Sequence, residues 1–324
     1  MDLPIGGRPH LFLAPMAGVT NTVFRRLCKD LGADVLTTEF VSAEGILHRN
    51  ERTSRYLEFQ PDERPLGVQL FGADPDRLAE AAKAVIDWVA PDFIDLNFGC
   101  PVNKVVSRNG GSALLKDCPL LASVARSVVA AAAGLPVTAK IRIGWDSRSV
   151  NATETARILE GEGISRLAVH GRTKEQGYSG EADWDVITDV VQAVQIPVIG
   201  NGDIDSAGVA LARWSQSGVA GIMIGRAAMN HPWIFREIRA AFADQGSDIV
   251  TLADKWAFIE GHCAKEIEWW KGQEAQAMKS MRARLMAYTR GLPGGARLRE
   301  RLQRVETLDG LRQIGSDHIA ENTA

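Results

Sequence analysis

The chain has 324 residues, 45% of them hydrophobic and 24% charged, a composition that excludes a disordered or fibrous protein and suits one large domain or a large and a small one. No apolar run reaches the roughly 20 residues that a membrane-spanning helix needs, and residues 1–4 lack the features of a signal peptide, so we expect a cytoplasmic protein with no membrane partner. The net charge of −3 by itself argues against a nucleic-acid partner, and four cysteines without a Cys-x-x-Cys pair argue against a metal site or disulfides.

Eight short apolar or β-branched runs alternate with helical patterns over the first two-thirds of the chain. They cover residues 11–14, 35–38, 67–71, 93–97, 137–142, 167–170, 198–201 and 221–224. Between them, Asp74-Pro75 predicts a helix start and Leu31-Gly32 a helix end. Eight alternating strand and helix units predict a parallel α/β fold, the (β/α)8 TIM barrel. A Rossmann domain is the weaker alternative, because no Gly-x-Gly-x-x-Gly follows the first run.

A polar stretch at residues 243–248 ends this alternation, and only helical patterns follow it. Apolar residues recur there at helical spacing, namely Met278, Met281, Leu285, Tyr288 and Leu292, and then Leu298, Leu302 and Val305. We therefore predict a barrel domain at residues 1–243 and a small all-helical domain at residues 244–324.

The helical segment carries a local concentration of positive charge. Residues 278–305 contain Glu300 as their one acidic residue, against eight basic ones: Lys279, Arg282, Arg284, Arg290, Arg297, Arg299, Arg301 and Arg304. A basic surface on an acidic protein is typical of an RNA contact. Arg297, Arg301 and Arg304 share one helical face and are the candidates for binding an RNA backbone. The alternative is a solvated helix face.

The active site of a TIM barrel lies at the carboxyl ends of its strands, and nearly every predicted strand ends here in polar residues or glycine. From the first strand to the eighth, these groups are Pro15, Met16 and Ala17; Gln69; Asn97 and Cys100; Lys140 and Arg142; His170; Asn201, Gly202 and Asp203; and Gly225 and Arg226. Any one of them could be structural, and most free cysteines are small buried hydrophobes. Their convergence at one end of a barrel favours a catalytic site.

The last two strand ends predict a phosphate site. Gly202 and Gly225 allow close approach of a ligand to the backbone, and Arg226 adds a guanidinium. Lys140 and His170 would then flank the other end of the ligand. A cation and a hydrogen-bond donor in that place suit a reduced flavin.

Eight ordered motifs carry a family resemblance. They are LAPMAGVT at residues 13–20, VQLFG at 68–72, DLNFGCP at 95–101, GGSALL at 110–115, KIR at 140–142, HGRT at 170–173, NGDI at 201–204 and MIGR at 223–226. In this order they resemble the tRNA-dihydrouridine synthases, most closely the bacterial B-type branch. The resemblance runs from residue 11 to about residue 240, and the helical segment resembles the family's tRNA-binding domain more loosely.

This resemblance implies FMN as prosthetic group, NADPH as reductant and a D-loop uridine of tRNA as substrate. Separately, we expect a monomer without metal. By matched position the resemblance implies that FMN is held by Pro15, Met16, Ala17, Gln69, Lys140, His170, Asn201, Gly202, Asp203, Gly225 and Arg226. It also implies that Cys100 is the proton donor and that Asn97 and Arg172 lie near the uracil. Reducing the 5,6 double bond of uracil needs a hydride at carbon 6 and a proton at carbon 5, which a protonated thiol can deliver. The uridine must first flip out of the folded tRNA.

Three other functions stay open from the residues alone. A Schiff-base aldolase would use Lys140 as its amine. A dihydroorotate-type dehydrogenase would share the barrel and the FMN but would not need the arginine-rich helical segment. A non-catalytic RNA-binding protein would need neither Lys140 nor Cys100 at strand ends.

Overall fold

A single sheet of parallel strands closes into a barrel. The computed structural model describes residues 8–106, 110–246 and 249–322, so residues 1–4 and the last two residues of the predicted linker lie outside the described part. Within it, the strands are β1 His10–Leu13, β2 Leu36–Thr37, β3 Val41–Ser42, β4 Leu66–Phe71, β5 Phe93–Phe98, β6 Val137–Arg142, β7 Arg166–His170, β8 Val198–Asn201 and β9 Gly221–Ile224. Their order in the sheet is β1-β9-β8-β7-β6-β5-β4-β2, with β3 also paired to β4.

The ring closes between β1 and β2. Phe12 forms a parallel bridge with Val35, and the Leu13 N–H donates to the Val35 carbonyl at 3.1 Å. All eight predicted strands are therefore present, and the TIM barrel is confirmed. The additional strand β3 extends the edge that β2 begins, since Leu36 pairs with Leu66 and Val41 pairs with Leu70 farther along β4.

Helices cover the outside of the barrel, so the strands are buried on both faces and read as apolar runs in the sequence. These helices are α1 Thr22–Asp30, α2 Ala43–Leu47, α3 Glu51–Leu57, α4 Pro75–Val89, α5 Asn103–Val106, α6 Cys118–Ala131, α7 Ala152–Gly161, α8 Trp184–Ala193, α9 Ala207–Ser217, α10 Arg226–Asn230 and α11 Ile234–Phe242. The predicted helix signals are confirmed. The Asp74 carboxylate accepts from the first backbone N–H groups of α4, and Gly32 follows α1 with a φ of +111°.

Only helices follow residue 250 in the described part of the chain: α12 Leu252–Trp269, α13 Glu274–Tyr288, α14 Gly295–Arg304 and α15 Leu308–Asn322. Their predicted apolar positions are buried, including Met278, Met281 and Leu302 at 0% exposure, except Leu292, which is partly buried. None of the described helices combines the length and the hydropathy that crossing a membrane requires. The division into domains at residue 243 stays a prediction; α11 ends one residue before it.

A buried polar cluster joins the C-terminal helices to α1. Its members are Asn21, His262, Glu266, Arg284 and Tyr288. The Glu266 carboxylate accepts from Asn21 Nδ2 and from Arg284 Nη1, both at 2.6 Å. Arg284 was predicted to belong to the basic surface, and this is wrong, because it is 6% exposed and its charge is matched by Glu266.

The cluster also reaches a loop of the barrel. Arg284 Nη2 donates to the Val19 carbonyl at 2.5 Å, in the loop that leads from β1 to α1. Burial lowers the pKa of His262 to about 4, so its imidazole is neutral at pH 7 and shares a hydrogen bond with the Tyr288 hydroxyl at 2.9 Å. The helical segment and the barrel are thus connected through partly buried hydrogen bonds to Asn21 and the Val19 carbonyl.

Candidate active site

A cleft of about 820 Å³ opens at the carboxyl ends of the barrel strands. It is lined by all the residues predicted to hold a cofactor: Pro15, Met16, Ala17, Gln69, Lys140, His170, Asn201, Gly202, Asp203, Gly225 and Arg226. Asn97 and Cys100 line it as well. The fold therefore brings the predicted groups to one cleft, and their individual roles stay predictions.

Cys100 lies in a tight turn directly after β5. Its backbone N–H donates to Asn97 Oδ1 at 2.9 Å, and its carbonyl accepts from Ser112 Oγ at 2.9 Å. Gly111 closes over this turn with a φ of +59°, where a Cβ would lie 2.8 Å from the Cys100 carbonyl oxygen. The turn leaves Cys100 7% exposed, and burial raises the pKa of its thiol. The thiol is therefore protonated at neutral pH.

Arg142 forms hydrogen bonds with the loops on either side of the cysteine. Its Nε donates to the Gly99 carbonyl at 3.0 Å, and its Nη1 donates to the carbonyls of Thr173 and Gly177. The guanidinium thereby links the turn after β5 to the loop after β7. It lines the cleft, but its described hydrogen bonds go to backbone carbonyls.

Lys140 projects from β6, and its ammonium forms no hydrogen bond with any residue of the described ranges. Burial, reinforced by the neighbouring positive charge of Arg142, lowers the pKa of Lys140 to about 8. Lysine at this pKa is still mostly protonated at pH 7. An electron-rich ligand beside it would favour the charged form further.

His170 ends β7 and is a neutral imidazole. Burial is the main cause that lowers the pKa of His170 far below its usual value, and the cations Lys140 and Arg142 add to it. A neutral imidazole can donate one hydrogen bond. Gly202 packs against this ring with a φ of +133°, and a Cβ there would lie 2.5 Å from that of Ala182, so the position requires glycine.

Asp203 anchors two arginines behind the end of β8. Its carboxylate accepts from Arg172 Nη2 at 2.7 Å and from Arg226 Nη2 at 3.0 Å. Arg226 is half exposed and lines the cleft, whereas Arg172 is 2% exposed, lies outside the cleft lining and donates to the carbonyls of Ser179 and Gly180. The structure thus places Arg172 behind the wall of the cleft and not on its surface.

Several cleft residues were not predicted from the strand ends, among them Tyr178 and Arg290. Tyr178 stands 60% exposed on the loop after β7, with the Arg226 guanidinium 4.8 Å from its ring centroid. Arg290 lies in the connection after α13 and lines the cleft from the helical segment. For Tyr178 the sequence offers no signal beyond an aromatic residue in a loop, but the basic segment did include Arg290.

The three arginines predicted to bind RNA lie on α14, away from the cleft lining. Arg301 pairs with Asp317 at 2.5 Å, and Arg304 pairs with Glu300 at 3.0 Å. Arg297 is exposed and forms no ion pair with another described residue. Of the three, Arg297 is therefore the one whose positive charge is not already paired with a described carboxylate.

A parallel barrel whose strand ends surround a polar, cation-lined cleft has the architecture of a TIM-barrel enzyme. The sequence profile of the dihydrouridine synthase (Dus) family matches residues 12–323. The chain therefore belongs to the dihydrouridine synthase family.

Individual proteins are similar over nearly the whole chain. The tRNA-dihydrouridine synthase B of Pseudomonas aeruginosa is 40% identical over 302 residues, which cover 93% of this chain and 90% of that protein. A probable tRNA-dihydrouridine synthase of Mycobacterium tuberculosis is 39% identical over 319 residues, covering 95% of this chain and 82% of that protein. These relatives confirm the resemblance that the motifs indicated.

The fold is also found among solved structures. The crystal structure of TcOYE with pHBA matches with a TM-score of 0.52 at 12% identity, over 76% of this chain and 91% of that one, which is a likeness of the barrel fold.

With family membership shown, the aldolase, the dihydroorotate-type dehydrogenase and the non-catalytic RNA-binding protein are set aside.

Proposed function

We propose that this protein reduces a D-loop uridine of tRNA to dihydrouridine, with FMN as bound cofactor, NADPH as reductant and Cys100 as proton donor. The observation that carries the proposal is a buried thiol, protonated at neutral pH, on the wall of the cleft that collects the predicted FMN-binding residues. Family membership and the names of the similar proteins support the same reaction.

The cleft fits FMN at its phosphate end. Gly225 lines it, and a Cβ there would meet only Ala14 and Met16 at ordinary distances of 3.5 and 3.7 Å. Packing within the protein therefore does not require a glycine at position 225. Because Gly225 has no side chain, a ligand can approach its backbone closely. Arg226 is half exposed and supplies a positive charge beside it.

The other end of the cleft fits an electron-rich ring. Lys140 offers an ammonium without a hydrogen-bonding partner in the described residues, and His170 offers a neutral imidazole. When bound, FMN supplies the hydride that the uracil ring receives at carbon 6. Lys140 would stabilise negative charge on the flavin ring, and the Cys100 thiol would give its proton to carbon 5 of the uracil.

The uridine reaches this cleft only after it leaves the tRNA stack. We propose that Arg290, on the rim of the cleft, and Arg297, on α14, bind phosphates and hold the extruded nucleotide in place. Both arginines belong to the helical segment, where they stand on either side of Gly294 in the chain. This segment would therefore present the base while the barrel reduces it.

Purification tests the proposal directly. We expect a yellow protein that releases FMN on denaturation, oxidises NADPH, and forms dihydrouridine in an unmodified tRNA transcript, measured by mass spectrometry of the nucleosides. A transcript with cytidine in place of the D-loop uridines is the control and should give no product. A protein that cannot be loaded with FMN would refute the assignment.

Arg226→Ala should weaken FMN binding by at least about tenfold, because the ligand phosphate loses its side-chain counter-charge. Asp203 would keep a hydrogen-bond partner in this variant, since Arg172 still donates to it. Arg126→Ala is the matched control: Arg126 also has one carboxylate partner, Glu162, but lies on the outer helix α6. Fluorescence titration of FMN into the apoprotein measures both, and equal affinities for the two variants would place the phosphate elsewhere.

Neutralising Arg297, Arg301 and Arg304 together should weaken tRNA binding and reduce its log–log salt slope by roughly 0.7–0.9 for each phosphate that the variant no longer binds. Arg297→Ala alone should have the largest single effect, because Arg301 and Arg304 already have carboxylate partners. The control removes three exposed charges from the outer barrel helices: Lys83, Arg126 and Arg157. The same slope in both triple variants would show that α14 is only a solvated surface.

A further inference from the structure

A chain of buried hydrogen bonds runs from the barrel interior to the cleft. It begins at Asp95 on β5, which is 5% exposed and accepts from Thr138 Oγ1 at 2.5 Å. Gln69 Nε2 donates to the other Asp95 oxygen at 2.6 Å, and Asn97 Nδ2 donates to Gln69 Oε1 at 2.7 Å. The chain therefore joins a buried carboxylate to two carboxamides that line the cleft.

The far end of the chain is the cysteine turn. Asn97 Oδ1 accepts from the backbone N–H of Cys100 at 2.9 Å and from that of Gly99 at 3.2 Å. A backbone N–H needs an acceptor, so the oxygen of Asn97 must point toward this turn. Its nitrogen must then point toward Gln69.

The other end agrees with this orientation. Asn97 Nδ2 donates to Gln69, so Gln69 must turn its oxygen to Asn97 and its nitrogen to Asp95. Burial raises the pKa of Asp95, and its ionised form, which only accepts hydrogen bonds, fits the same direction. Neither amide can flip without leaving a buried donor or acceptor unpaired.

This fixed direction determines what the two side chains can offer a ligand. Each amide nitrogen carries two hydrogens, and one on each is used within the chain. Neither Gln69 Nε2 nor Asn97 Nδ2 forms a second hydrogen bond with a described residue. Both residues line the cleft, and each has one amide N–H that no described residue uses. Gln69 is 0% and Asn97 7% exposed, so a ligand would have to pack directly against these side chains to accept from them.

We propose that Asp95 is a positioning residue that fixes Gln69 and Asn97 as hydrogen-bond donors, so that the cleft selects rings that present carbonyl oxygens and rejects rings that present amino groups. The inference rests on the proposed function, since flavin and uracil both carry ring carbonyls, whereas cytosine places an amino group where uracil has one of them. Asp95 itself does not line the cleft and acts only through Gln69.

A double-mutant cycle tests which way the two carboxamides point in this chain of hydrogen bonds. Gln69→Glu places a second carboxylate against Asp95 and should lower the unfolding temperature. In the Asp95→Asn, Gln69→Glu double variant, the carboxamide introduced at position 95 can donate to the new carboxylate, which can still accept from Asn97. The double variant should therefore recover at least half of the lost unfolding temperature, a coupling that independent sites do not show.

Ligand affinity gives the second readout. At position 69 the double variant presents only an acceptor to the cleft, so it should bind FMN at least about tenfold more weakly than wild type despite its recovered stability. Thr138→Val is the control, because it removes a bond to Asp95 without touching the amides; its FMN affinity should stay within about twofold of wild type.

The possible failures are distinguishable. Additive changes in unfolding temperature would overturn the proposed direction of the chain. Recovered stability with wild-type FMN affinity would overturn the donor role of Gln69. A wild-type apoprotein that binds no FMN would instead refute the proposed function, while the unfolding cycle, which needs no cofactor, would still decide the direction of the chain.

Discussion

Cys100→Ala should form dihydrouridine roughly 10²–10⁴-fold more slowly than wild type while keeping FMN, tRNA binding and reduction by NADPH. The thiol is assigned only the proton transfer to the uracil, and alanine removes that proton without enlarging the buried side chain. Rapid mixing of the NADPH-reduced protein with tRNA measures the affected step alone. Cys118→Ala is the matched control, since Cys118 is also a free cysteine but lies at the start of α6.

The opposite kinetic pattern would contradict this role. If the variant were reduced slowly by NADPH but then reacted normally with tRNA, Cys100 would serve the first half of the reaction. The pH dependence offers a further check. The protonated thiol is the active form and burial raises the pKa of Cys100, so proton transfer from the thiol should fall only as the pH passes this raised pKa. A fall in rate near pH 8 would instead follow Lys140, whose pKa is about 8, and should also be present in Cys100→Ala.

Glu266→Ala should lower the free energy of unfolding by about 3–5 kcal/mol, because it leaves Arg284 buried without its carboxylate partner. The side chains of Glu266 and Arg284 are 1% and 7% exposed, so solvent cannot replace the missing carboxylate. Glu268→Ala is the control on the same helix: Glu268 is exposed, and its removal should cost less than about 0.5 kcal/mol.

Urea unfolding of both variants measures this difference. Equal midpoints would show that the buried polar cluster contributes nothing to stability. Replacing both Glu266 and Arg284 with methionine should restore part of the stability, because two apolar side chains leave no buried charge. The recovery should be incomplete, since the Val19 carbonyl would lose the hydrogen bond that Arg284 donates.

The sequence predicted the barrel well because its strands are buried on both faces. The run at residues 221–224 coincides with β9 because a strand covered on both sides needs apolar residues. Residues 137–142 coincide with β6, where apolar Val137, Ala139 and Ile141 alternate with polar side chains. Strand β3 was missed, since Val41 and Ser42 are too short a segment to show a pattern. The order of the segments and their residue types were enough to predict a strand wherever its pattern lay within a few consecutive residues.

Side-chain direction could not be predicted in the same way. Arg172 follows the strand that ends in His170, yet its guanidinium turns back to Asp203 because a carboxylate 31 residues away lies within reach. The spacing of Arg297, Arg301 and Arg304 does place them on one helix, but it could not show that Asp317 on α15 neutralises Arg301. Arg284 was misassigned for the same reason, since its partner Glu266 belongs to another helix. Each of these contacts depends on packing between distant segments.

The buried polar cluster also limits how this enzyme could be re-engineered. A chimera that exchanges everything after residue 243 between two relatives would leave Asn21 and the Val19 carbonyl on the old part, and Glu266 and Arg284 on the new one. If the exchanged residues did not match, hydrogen-bonding groups at the junction would lose their partners. The loop that carries Met16 and Ala17 along the cleft would then be displaced. A graft intended to change which tRNA position is modified would therefore have to carry the β1–α1 loop and the first turn of α1 along with the helices.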